Sequence, residues 1–317
     1  MAVATETETT QRPPHFLRGV LCTILGAALW GFSGACAQLL INDFDIPVLF
    51  IVSVRMIAAG LLFLVILLIS KRATLLELIR DRRAIGQLVV FGLGGLFLCQ
   101  MTYLFTIEYT NAGTATIMQC LAILFVMLFV CARMKRLPKV RELAGLILAI
   151  SATFIIATHG NPTVIAIPLP GLLWGLSSGL AGAFYTLYPR RLLERWGNLI
   201  VTGLGMLVGG IAACIIARPW TIPVSFVPES LAALAALVVI GTFLAFFLYL
   251  QGVADIGPVR ASMLGAIEPI SATLLSWLWL GTQFPLIDFA GFALMIVMVI
   301  TITTEKPAQE AAPKDTA

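Results

Sequence analysis

Two runs of small residues hold the side chains with the plainest claim to covalent chemistry: "GFSG" at 31–34 and "GLSSG" at 175–179. A serine between glycines inside an apolar stretch could act as the nucleophile of an intramembrane hydrolase. Such a serine needs a base to take its proton, and the chain has two histidines. His15 lies near the N-terminus and His159 at the end of a distant apolar run. The G-x-S-x-G spacing also requires a strand–turn–helix setting, which an apolar helical context does not supply. The six cysteines (Cys22, Cys36, Cys99, Cys120, Cys131 and Cys214) show no CxxC spacing and no companion histidine. They read as small buried hydrophobes and not as metal ligands. No enzyme activity, metal or cofactor is expected.

Two charges carry more weight. Glu268 and Arg55 each sit deep in an apolar run of spanning length. Glu268 is ten residues in from Pro258, about 15 Å at 1.5 Å per residue, and Arg55 is nine in from Ile46, about 14 Å. Both depths approach the centre of a hydrocarbon core about 30 Å thick, where a charge costs at least about 2.5–3.5 kcal/mol. Neither can face lipid. They could line a cavity and meet a substrate, where together they would complement a zwitterion, or Glu268 could exchange a proton. Equally, they could pair with each other or with backbone groups freed by Pro269. The uncharged candidates are Gln100, Tyr103, Gln119, Tyr249, Tyr185 and Gln251, whose polar groups lipid cannot satisfy. Trp30 and Trp174 lie well inside their runs, suited to packing or to lining a cavity.

The elements that must position these residues follow from composition. Of 317 residues, 60% are hydrophobic and 11% charged, against about 25% charged in soluble domains. The chain is therefore an all-α integral membrane protein. With about 20 apolar residues needed per span, ten spans are expected: 17–41, 46–70, 86–107, 111–132, 142–160, 170–189, 198–217, 229–252, 258–280 and 285–304. No cleavable leader is expected, and 1–16 and 305–317 read as disordered tails. Segment 71–83, "KRATLLELIRDRR", reads as a short amphipathic interfacial helix.

Lys and Arg orient the spans. With both termini inside, seventeen of the twenty basic residues become cytoplasmic, most of them in 71–83, 133–141 and 190–195. Arg218 alone becomes external, while Arg260 falls at an inner mouth and Arg55 within a span. The net charge of +4 is thus an orientation signal and calls for no nucleic acid.

An internal duplication explains the serines. "LWGFSGACA" (29–37) matches "LWGLSSGLA" (173–181), "YLFTIEYTNAGTATIMQ" (103–119) matches "YLQGVADIGPVRASMLG" (249–265), and "ELAGLIL" (142–148) matches "DFAGFAL" (288–294). The offsets are 144 to 146 residues. Two five-span halves, 17–160 and 170–304, are expected, and an odd span number makes them inverted copies around a central cavity. Ser33 and Ser177 are then mates within packing motifs. Gly171, Gly175 and Gly179 form a small-residue ridge on the sixth span, as do Ala27, Gly31 and Ala35 on the first, letting backbones approach.

With the duplicated Leu-Trp-Gly-x-Ser and "GAIEPISATLLSWLWLG" (265–281), the chain resembles the EamA family of the drug/metabolite transporter superfamily over about 17–304. That resemblance implies a ten-helix basket that moves small polar metabolites, often amino acids, outward across the inner membrane by alternating access and without ATP. Consistently, there is no G-x-x-x-x-G-K-[ST]. The family's common Leu-Gly-Glu is absent, with Gly281-Thr282 in its place, and the first-half mate of Glu268 is Ala122. Alternatives are a cation- or proton-coupled drug efflux protein, an intramembrane enzyme and a non-transporting membrane protein. The expected partners are a small-molecule substrate, the bilayer and, under coupling, protons.

Overall fold

The computed structural model describes residues 15–161, 166–256, 261, 264–265 and 267–303. Most of both expected tails and Arg260 fall outside them. The described chain forms α1 (Phe16–Asn42), α2 (Val48–Ser70), α3 (Arg72–Arg80), α4 (Arg82–Tyr109), α5 (Ala112–Arg133), α6 (Val140–Thr158), α7 (Leu169–Leu187), α8 (Arg190–Trp196), α9 (Asn198–Ala217), α10 (Pro228–Ile256), α11 (Ile267–Leu278) and α12 (Leu286–Thr303).

Among the described residues, seven helices are long and apolar enough to cross a bilayer: α1, α2, α4, α5, α6, α9 and α10. The other three of the expected ten fall short for separate reasons. Four glycines and two serines dilute α7, α11 has twelve described residues, and the side chains of α12 are described over Leu286–Thr301. Outward apolar stripes recur at helical spacing, as in Leu143, Ile147, Ile150 and Phe154 on α6 and Leu173, Leu176, Leu180 and Phe184 on α7. Patches of that size in water mark aggregation or binding surfaces; on apolar helices they are the face that meets lipid. This is a multi-pass membrane protein.

The expected interfacial helix over 71–83 divides in two. The Asp81 carboxylate accepts from the backbone N–H of Arg83 (3.0 Å) and Ala84 (3.1 Å). It thereby caps α4, satisfying donors that a helix start leaves open, and α3 ends at Arg80. Arg195 of α8 reaches the other Asp81 oxygen at 2.9 Å, so α8 and the α3–α4 junction share one end of the bundle.

Helix neighbours are exchanged across the chain. α1 packs mainly on α10 and α11, and α7 on α4 and α5; α2 pairs with α9, and α6 with α12. Glycines set these contacts. A Cβ added at Gly31 would stand 2.6 Å from the Ala272 nitrogen and 2.8 Å from the Glu268 carbonyl oxygen; one at Gly26 would stand 2.7 Å from the Tyr249 nitrogen. The α7 ridge meets α5 side chains: Gly175 lies against Met118, and Gly179 against Leu121 and Phe125, while Gly171 fits beside Tyr109 and Thr110.

Two π-helical segments interrupt the ladders, Phe91–Phe97 in α4 and Val239–Leu244 in α10. They overlap under the sequence offset of 146, which matches Gly95 to Gly241. Segments of this kind occur often at functional sites.

Candidate functional site

Arg55 is 4% exposed on α2. Its Nε donates to Thr242 Oγ1 at 2.8 Å, and Thr242 Oγ1 donates to the Leu237 carbonyl five residues back, also at 2.8 Å. The wider π turn therefore presents the hydroxyl that orients the guanidinium. Arg55 Nη1 is buried without a hydrogen-bond partner among the described residues. Glu268, in the first turn of α11, lines the same cavity. No ion pair joins the two among the described residues.

That cavity, of about 210 Å³, is also lined by Trp30, Gln100, Tyr103, Gln119, Tyr185 and Thr186. A neighbouring compartment of about 260 Å³ shares Trp30, Gln119, Thr186 and Glu268 with it and adds Tyr249 and Pro269. The Trp30 ring meets Phe246 edge-on at 4.8 Å and Tyr249 at 4.6 Å, and its Nε1 is buried without a partner among the described residues. The Gln119 amide donates to Cys99 Sγ at 3.3 Å. The Tyr103 hydroxyl pairs with Thr116 Oγ1 at 2.8 Å and fills the space beside Gly34, where a Cβ would lie 2.5 Å from it. Its ring lines the cavity while its hydroxyl is spent on holding α4 to α5.

Eight of the ten sequence candidates thus converge: Arg55, Glu268, Gln100, Tyr103, Gln119, Tyr185 and Trp30 around the first compartment, Tyr249 around the second. Gln251 is spent on Asp255, to which its Nε2 donates at 3.0 Å. Trp174 lies apart, stacked on Phe105 at 4.7 Å. Ser33 is buried against Gly241 with no partner for its hydroxyl among the described residues. Ser177 lines an apolar surface groove with Leu180 and Phe184. Among the described residues neither serine is joined to a base. Residues 146 apart in the sequence line one space: Gln100 with Phe246, and Ala122 with Glu268.

Sequence reasoning missed Thr242, which holds Arg55, and Gln38, which joins three elements. Gln38 Oε1 accepts from the Ala112 N–H (2.8 Å) and the Ser276 hydroxyl (3.0 Å), and its Nε2 donates to Thr282 Oγ1 (2.8 Å). It also missed His159 Nδ1 beside Asp288 Oδ1 at 2.7 Å, joining α6 to α12. Each is a polar residue in or beside an apolar run, a signal applied to deeper glutamines but not to these.

A guanidinium, a carboxyl group, two amides and an aromatic wall can hold a polar molecule. Comparison with known proteins agrees with a carrier. The model of the EamA-like transporter family matches twice, over residues 17–158 and 169–304.

The chain belongs to the EamA-like transporter family.

Among relatives of this EamA-like chain is the uncharacterized inner membrane transporter YicL of Salmonella typhimurium, 36% identical over 91% of the chain and 96% of that protein. A more distant one is an S-adenosylmethionine/S-adenosylhomocysteine transporter of Chlamydia trachomatis, 22% identical over 87% of the chain and 86% of that protein. A solved crystal structure superposes with a TM-score of 0.62, covering 92% of this chain and 98% of the other at 17% identity, a likeness of fold.

Proposed function

We propose that this EamA-like protein is a secondary transporter of ten spans in two inverted halves, with both termini cytoplasmic. It exports a small metabolite bearing both charges, of the amino-acid class, across the inner membrane by alternating access. The observation that carries this reading is one cavity shared by Arg55 from the first half and Glu268 from the second, without an ion pair between them among the described residues. A desolvated guanidinium with an unfilled edge and a carboxylate across from it are costly unless a ligand completes them. A zwitterion offers both complements. The duplicated family match and the exchanged neighbours of α1 and α7 support the inverted repeat.

The test is a thermal-shift screen of purified protein against amino acids and derivatives, S-adenosylmethionine and S-adenosylhomocysteine included because of the chlamydial relative. Flux of each hit in proteoliposomes follows. Zwitterions should stabilise and move; a hit list confined to uncharged compounds would overturn the reading. The second reading, proton-coupled drug efflux, draws on Glu268 lining both compartments. It requires flux driven by an imposed pH gradient and abolished in Glu268→Gln.

A further inference from the structure

Gln38 is 5% exposed near the end of α1, and its amide engages α5, α11 and the loop that follows α11 at once. Ala112 is the first residue of α5, so its N–H has no partner within its own helix and the glutamine carbonyl supplies one. Just inward, the buried Tyr103–Thr116 pair packed on Gly34 lies between this hub and the cavity. The opposite end differs. The cavity lining reaches Thr186, one residue before α7 ends, close in sequence to the arginines of α8.

The duplication shows what the other end lacks. At the offsets of 144 and 146, Gln38 matches Gly182, Ala112 matches Pro258 and Ser276 matches Val130. Glycine and valine bring no side-chain hydrogen bond, and proline has no N–H to give. Thr282 matches Arg136, which is engaged by Glu142 at 2.6 and 2.7 Å. In an inverted repeat the two access states exchange the arrangements of the two halves. The buried hub Gln38 makes at one end therefore has no residue-for-residue counterpart at the other, where α1 is held to α10 by a half-exposed ion pair, Arg18 donating to both Asp255 oxygens at 2.8 Å.

We infer that Gln38 is a one-sided latch that closes the external end of the transport path and biases the resting carrier toward the cytoplasm-facing state. Gln38 acts by positioning helices and does not touch the transported molecule. The inference rests on the transport reading and topology proposed above. Breaking one buried hydrogen bond moves a two-state equilibrium about two- to tenfold, so loss of the whole hub should move it further.

Native cysteines report the state, since Cys99 lines the first compartment and Cys120 the second. Right-side-out and inside-out membrane vesicles are treated with a membrane-impermeant sulfonate methanethiosulfonate, and modification at each cysteine is read by peptide mass spectrometry. In the unaltered protein, Cys99 and Cys120 should react faster from the cytoplasmic face. In Gln38→Ala the external-to-cytoplasmic ratio of rates should rise at least about tenfold, and in Ser276→Ala by a smaller factor of about two to ten. The single-contact variant guards against misfolding of Gln38→Ala. Reactive cysteines whose ratio moves in neither variant would overturn the latch and leave the cavity reading standing. Cysteines that react from neither face would overturn both.

Discussion

Arg55 is held along one edge only. Thr242 fixes Nε, and Nη1 is buried without a partner among the described residues, so the rest of the fork is available to an anionic group. Charge-assisted hydrogen bonds of this kind contribute about 1.5–3 kcal/mol. Arg55→Gln should therefore weaken binding of a carboxylate-bearing ligand about 10- to 100-fold by titration calorimetry, and Arg55→Lys should restore part of it. Thr242→Val should weaken the same ligand by about tenfold through misorientation, with little change for a ligand that lacks the acidic group. Arg55 and Glu268 were legible in the sequence because charges within apolar runs are rare and expensive. Gln38 was not. It stands near a run's end, where a glutamine would ordinarily meet water, and only the arrival of Ala112, Ser276 and Thr282 gives it a buried role.

Helices bring these residues together through close glycine contacts. Ala in place of Gly31 would press on backbone atoms of α11, and in place of Gly241 it would stand 2.9 Å from the Ser33 Cα. Each substitution should cost about 1–3 kcal/mol, seen as a lower unfolding temperature in detergent. Gly86→Ala, where a Cβ meets nothing within 4 Å, should be neutral or raise stability by up to about 1 kcal/mol through helix propensity. Asp81 supplies the pH dependence at this scale. Backbone donors from Ala84 and Arg83, aided by Arg195, hold its carboxyl below the usual carboxylate range. A depressed value means the cap's contribution is present above the unfolded-state pKa and is lost as pH falls through the folded-state value. Protection factors of the first-turn amides of α4, with the intrinsic pH dependence of exchange divided out, should fall on acidification through that window and stay level in Asp81→Asn. The small-residue ridges were readable from their spacing of four. The π segments were not, because one extra residue in a turn leaves no mark in hydropathy, and the split of α3 from α4 depended on a cap inside a run of charges.

At the scale of the molecule, the Arg195–Asp81 contact puts the α3–α4 junction and α8 at one end of the bundle. Reporter domains fused after residues 80 and 194 should both read cytoplasmic, and one fused after residue 161 should read external. Opposite readings from 80 and 194 would break the proposed topology. The doubled family match was legible because three blocks recur in order at nearly one offset. Which halves' helices touch was not, since matched spacing says nothing of whether α1 rests on its own half or the other. The cavity's two compartments follow from that exchange, with Trp30, Gln119 and Thr186 shared between them only because α1, α5 and α7 meet there.

The exchange also governs how the protein is made. α1 leaves the ribosome well before its main neighbours, α10 and α11, which begin at Pro228 and near Ile267. At about 5–20 residues per second, synthesis of the intervening chain takes on the order of ten to forty seconds. Throughout that interval the notches at Gly26 and Gly31 lack the α10 and α11 backbones they meet in the folded protein. Nascent chains stalled before Pro228 should therefore crosslink through these positions to the translocon, and release it once α10 and α11 have entered the bilayer.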